Sequence, residues 1–130
     1  MKAISVIAAL VTLVASINLH AAPHYCGELY ASGAYGPYDY TNADDKNTKL
    51  PRVEQHHFTP DVEKLIRGSS GFLGGDLSYT LVTFPNHQRA LTAMAKLALR
   101  DKTSKPHGAR YSIECFFDRA MRFKPNDSAV

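Results

Sequence analysis

The chain has no tryptophan, and only two of its 130 residues are cysteine. Two cysteines exclude a disulfide-dense scaffold, and neither stands in a Cys-x-x-Cys or Cys-x-x-Cys-His spacing, which removes the sequence signatures of thiol redox chemistry and haem attachment. His-Glu-x-x-His and clustered Cys/His spacings are also missing, so the sequence assigns no metal and no cofactor. Charge of one sign is lacking too. Fifteen Lys and Arg stand against twelve Asp and Glu, for a net charge of +3, and this near-balance gives no argument for a nucleic-acid partner. What is present, 45% hydrophobic and 21% charged residues, suits one small globular domain and excludes a disordered polyelectrolyte or a collagen-like repeat.

One long apolar run does occur. Lys2 precedes Ala3 to Ile17, broken only by Ser5, Thr12 and Ser16, and small or polar residues continue through Ala22. This is the layout of a secretory signal peptide over residues 1–21, with cleavage after Ala21 or Ala22. About fifteen apolar residues fall short of the roughly twenty that cross a bilayer, so a cleaved leader is favoured over a stable membrane anchor. Pro23-His24-Tyr25 before Cys26 lacks the small residues of a lipoprotein signal. The expected product is periplasmic or secreted, where disulfides persist, and Cys26 and Cys115 are then expected to bridge. Such a bridge would stabilise the fold by roughly 4 to 5 kcal/mol on the chain-entropy model.

Residues 22–75 read as an irregular arm with one short helix. From Tyr25 to Leu50, Gly36-Pro37 and Asn42 through Asn47 act as breakers, and no helix is expected. Val53 to Phe58 suggests an extended segment. Thr59-Pro60-Asp61 supplies a helix cap, a first-turn proline and an acidic residue, predicting a helix over Asp61 to Arg67 that Gly68 ends. Ser69 to Gly75 reads as a mobile linker. Residues 76–130 are helical by period. Leu77, Leu81 and Phe84 share a face although β-propensity argues for a strand. Over Asn86 to Arg100, Leu91, Met94, Ala95 and Ala98 make a buried stripe opposite Arg89, Thr92, Lys96 and Arg100. Arg110 to Phe123 carries Ile113, Phe116, Phe117, Ala120 and Phe123, and Pro125 stops it. The expected fold class is mainly α.

Aligning two prolines lays Leu77 through Asn86 over Phe117 through Asn126, forty residues apart, each segment ending in Pro-Asn. Phe117-x-x-Ala120-x-x-x-x-Pro125 resembles the second helix of a tetratricopeptide repeat, and the helix with Arg89-Ala90-Leu91 resembles the first. The resemblance implies a helix hairpin in which Phe117 fills the core and Ala120 lets helices approach. Because that repeat has a period of about 34 residues, the Thr103 to Gly108 connection would absorb the surplus. Upstream, Tyr35-Gly36-Pro37-Tyr38-Asp39-Tyr40 and His56-His57-Phe58-Thr59-Pro60 resemble the amino-terminal region of uncharacterised exported bacterial proteins that carry such repeats. That family gives no activity to carry over. Solenoids usually need three or more units; the arm and disulfide would cap a single unit, or a partner would cover its open end, or the chain is a shortened member.

Candidate site residues follow from chemistry. Tyr35, Tyr38 and Tyr40 can stack on a ligand or lay the arm over the helices. Asn86, His87 and Arg89 begin the clearest helix, where backbone donors and a guanidinium can hold an anion or simply cap the helix. Glu54, His57 and Asp61 can form a base with an orienting carboxylate, but no nucleophile is marked and no catalytic residue is assigned. The sequence favours a non-catalytic module that presents a concave helical surface to a protein or peptide in the exported compartment. The alternative is a small-ligand-binding protein or enzyme using a pocket between the tyrosine-rich arm and the helices, with Glu54, His57 or His87 as its acid or base.

Overall fold

Local capping decides where each helix begins. In a computed structural model that describes residues 24–130, the order is α1 Ala43–Thr48, α2 Leu50–His57, α3 Pro60–Glu63, α4 Leu73–Thr83, α5 Gln88–Asp101 and α6 Ile113–Phe123. The fold is mainly α, with no strand among the described residues. The expected leader and its cleavage site lie outside them.

Three local expectations are corrected. Tyr25 to Leu50 holds a helix, because the Asn42 side chain accepts from the amides of Asp44 and Asp45 and both carboxylates sit in the first turn of α1. Val53 to His57 lies in α2, with Phe58 as its C-cap, rather than in an extended segment. Pro51 occupies the first turn, where its missing N–H costs nothing, and Leu50 and Val53 bury one face. The helix after Thr59 stops at Glu63, short of Arg67, because Leu65 turns left-handed at φ 57°.

Within the stretch expected to be a linker or a mobile loop, Leu73 to Gly75 begin α4, and Gly74 serves close packing. Gly74 is buried inside α4, and a Cβ there would lie 2.3 Å from the His107 carbonyl oxygen, so a side chain would push away the connection between α5 and α6. Ser69 and Ser70 donate their amides to Asp76 Oδ2 at 2.7 and 3.1 Å.

The forty-residue repeat is a repeat of backbone. Both α4 and α6 have 11 residues, and their C-caps, Phe84 (φ −126°, ψ 83°) and Lys124 (φ −142°, ψ 84°), share one conformation. The turns after them close alike, His87 N–H to Phe84 O at 3.0 Å and Asp127 N–H to Lys124 O at 3.1 Å. Helix α5 packs against both α4 and α6, and α2 packs on α4. The core gathers Leu77, Leu81, Leu91, Met94, Leu97 and Phe116. Phe116, not Phe117, occupies its centre; Phe117 is half-buried against the core edge.

The arm is fastened at two places. Cys26 and Cys115 form the expected disulfide, 89 residues apart in sequence with Cα atoms at 5.0 Å. Next to it, the buried Arg119 guanidinium donates through Nη1 to the carbonyls of Cys26, Gly27 and Glu28 at 3.1, 3.2 and 3.2 Å. Burial without a carboxylate partner lowers the pKa of Arg119. Farther along, Gly36 at φ 99° brings the arm so close to α4 that a Cβ would lie 2.8 Å from Thr83 O. The Tyr38 amide donates to that same oxygen at 2.8 Å.

Candidate functional site

The turn between α4 and α5 gathers most of the residues singled out by sequence. Asn86 is fully buried. Its Oδ1 accepts the Tyr40 amide at 3.0 Å, and its Nδ2 donates to Asp39 Oδ1 at 2.8 Å and to Asp127 Oδ2 at 3.2 Å. Asp39 completes the node by accepting from Lys124 Nζ at 2.9 Å through its other oxygen. One carboxylate of the arm therefore ties both Pro-Asn turns together. Burial pushes the Asp39 carboxyl up, but the bonds from Lys124, Thr41 and Asn86 outweigh it and hold the group well below the usual carboxylate range.

Both ring nitrogens of His87, which is fully buried, are committed. Nδ1 caps α5 by accepting the Ala90 amide at 3.1 Å, which assigns the proton to Nε2, 3.0 Å from Glu54 Oε1. Tyr40 stacks on the ring with centroids 4.2 Å apart, and Phe58 meets it edge-on at 4.8 Å. Arg89 does not present a free guanidinium at the helix start. Its Nε donates to Glu63 Oε1 at 2.8 Å, and Glu54 lies at 3.8 Å. The hydrogen bond from Arg89 lowers the Glu63 carboxyl, and the same bond raises the guanidinium.

The Glu54, His57 and Asp61 group separates. Glu54 joins His87, Asp61 pairs with Arg67 at 2.8 Å, and His57 Nδ1 meets Asp76 Oδ1 at 2.9 Å. Ser70 completes a serine, histidine and aspartate cluster that the sequence did not mark, because the three sit on separate elements. Its wiring differs from a nucleophilic triad. Ser70 Oγ lies 3.2 Å from the same Nδ1 that faces Asp76, and its hydroxyl donates to Asp76. A triad places the hydroxyl on the opposite ring nitrogen, where the base can take its proton. Burial pushes the Asp76 carboxyl up, but bonds from Ser70, His57 and the Ser69 and Ser70 amides hold it below its ordinary value. The cluster locks the α3–α4 connection to α2.

Two of the open concavities beside these internal networks bear on the expected binding surfaces. A groove of about 570 Å³ between α5 and α6 is walled by Ala95, Ala98, Leu99 and Ile113, with Lys102 and Glu114 also lining it. Leu99 there is 79% exposed. A cleft of about 300 Å³ lies between the arm and α4, lined by Tyr35, Ser78, Tyr79, Val82, Thr83 and Arg110. Of the three arm tyrosines only Tyr35 reaches this cleft, since Tyr38 packs on Phe84 and Tyr40 covers His87. Among the described residues, His24, Cys26 and Asp118 are the one group with metal-ligand spacing, and there the Cys26 sulfur is consumed by the disulfide. No helix of the described residues is long and apolar enough to cross a membrane.

Compared with known proteins, the chain matches no protein-family model, no curated protein and no solved structure.

Proposed function

We propose that the chain is an exported, non-catalytic binding module that belongs with the exported bacterial proteins carrying tetratricopeptide-like repeats, and that it receives a protein segment in the α5–α6 groove. The observation that carries this reading is Leu99, which stands 79% exposed in an apolar trough whose walls are Ala95, Ala98 and Ile113. An exposed leucine in a concave apolar surface gains most from being covered by another apolar side chain. Small residues on the α5 wall leave room for one or two anchors of an amphipathic helix, and Lys102 and Glu114 offer both signs of charge at the edge.

The enzyme alternative keeps one acid and base candidate, His57, whose Nε2 has no hydrogen-bond partner among the described residues. Both nitrogens of His87 are bonded, Glu54 is tied to His87, and His57 faces Asp76 and Ser70 through one nitrogen. Photo-crosslinking from position 103, which lines the same groove, tests the binding reading in the disulfide-bonded protein. An amphipathic helical segment of a partner should be recovered, and Leu99→Asp should abolish capture while His57→Ala leaves it intact. Capture unchanged by Leu99→Asp would overturn the reading. The export component is checked separately by sequencing the mature amino terminus, which should begin at Ala22 or Pro23; an intact Met1 on the exported protein would contradict it.

A further inference from the structure

We propose that the cleft between the arm and α4 binds an aromatic ring carrying a carboxylate, with Tyr35 and Tyr79 flanking the ring and Arg110 receiving the acid. This second site goes beyond the protein-binding reading and does not depend on the α5–α6 groove.

A free arginine together with a lining that holds no acidic side chain selects this cleft from the other concavities. Arg67, Arg89 and Arg100, which line other cavities, already hold Asp61, Glu63 and Asp101. Arg110 has no such partner. Its backbone N–H donates to Ser78 Oγ at 2.9 Å, and its guanidinium carbon lies 5.5 Å from the Tyr111 ring centroid, but the guanidinium makes no hydrogen bond or ion pair with any described residue. No acidic side chain lines the cleft. The neighbouring Arg119, buried without a carboxylate, feels the positive charge of Arg110, so the region favours an anion. A guanidinium with free in-plane donors suits a carboxylate, which it can grip through two parallel bonds.

The walls select the rest of the ligand. Tyr35 and Tyr79 are 39% and 42% exposed, yet neither ring is loose. Tyr79 stacks on His57 with centroids 3.9 Å apart and planes 28° apart, and His57 is itself fixed by Asp76. Tyr35 stands edge-on to Tyr38 at 5.1 Å and 75°, on the stretch of arm that the Tyr38 amide pins to Thr83 O. Two positioned aromatic walls, with Val82 also lining the cleft, suit a flat ring. At about 300 Å³ the cleft has the size of one ring with a short acidic arm. Such a group is supplied by a free aryl acid or by the carboxyl-terminal aromatic residue of a peptide.

Titration of the disulfide-bonded protein with phenylacetate, phenylacetamide and acetyl-Gly-Gly-Phe, followed by NMR, tests the site. Phenylacetate should shift the resonances of Ser78, Tyr79 and Arg110 and bind at least tenfold more tightly than the isosteric amide. Arg110→Met should remove that preference, Arg110→Lys should restore part of it, and Tyr79→Leu should weaken acid and amide alike. The peptide binding at least as tightly as phenylacetate would support the site with a peptide terminus as the source. Exclusion of the peptide with phenylacetate still bound would support it with a free acid as the source. Equal affinity for acid and amide, retention of the preference in Arg110→Met, shifts confined to other surfaces, or no binding would each overturn the proposal. Leu99→Asp should leave phenylacetate binding unchanged, so this site and the groove reading fail separately.

Discussion

Helices α4 and α6 share length, C-cap geometry and a following Pro-Asn turn, yet their surroundings differ. Leu77 in α4 is fully buried, whereas Phe117, forty residues on, is only half-buried. Pro85 and Asn86 lie inside; Pro125 and Asn126 lie in solvent. The cause is what stands beside each helix. α4 is enclosed by α2, α3 and α5, while α6 has α5 and the arm's disulfide end. The same local rules build the same backbone twice, and the neighbours decide which copy becomes core. On α6, the Cys115 bridge and the Arg119 and Arg122 bonds to arm carbonyls supply the contacts on the side away from α5.

Removing that bridge should break the comparison most. Replacing Cys26 and Cys115 together by Ser should cost roughly 4 kcal/mol in urea unfolding on the chain-entropy model. Paired core truncations come next. Leu77→Ala should cost about 3 to 4 kcal/mol, and Phe117→Ala about 1 to 2 kcal/mol, since less apolar area leaves water at that edge. Equal losses would mean that the two units are equivalently buried. The turn asparagines sharpen the contrast. Asn86→Ala strands the Tyr40 amide and two carboxylates and should cost about 2 to 3 kcal/mol, while Asn126→Ala should stay within about 0.5 kcal/mol.

The smallest effect is acid sensitivity. Asp39 and Asp76 have folded pKa values held below their unfolded ones. Their contribution is therefore present above the ordinary aspartate pKa of about 3.9 and is lost as pH falls through the lower folded value. The urea midpoint should decline below about pH 4, and Asp39→Asn should flatten part of that decline.

Much of the helical half was legible, because period survives wherever one face is buried. Leu77, Leu81 and Phe84, and the stripe on α5, are buried as their spacing implies; Ala95, at the stripe's edge, lines the groove instead. The arm was less legible. Its breakers hid α1, whose Asn42 cap and two first-turn aspartates were a readable signal, and Pro51 was compatible with the start of a helix. Tyr38 and Tyr40 sit at the α4–α5 turn with Asn86 and His87, four residues that the sequence singles out, whereas their partners Asp39 and Asp127 carry no such signal. Arg119 could have been noticed, since it follows Phe116 by three residues on the apolar side of α6. The convergence of Ser70, His57 and Asp76, and of Tyr35, Tyr79 and Arg110, depends on chain crossings for which no local pattern exists.

The arm is a built-in part of the fold, fastened at Thr83 and Asn86. Native-state hydrogen exchange of the Tyr38 and Tyr40 amides tests this most directly. Both amides should be protected and exchange only with the opening of α4 and α5, because they donate to Thr83 O and Asn86 Oδ1. Exchange at open-coil rates while α4 and α5 stay protected would contradict it.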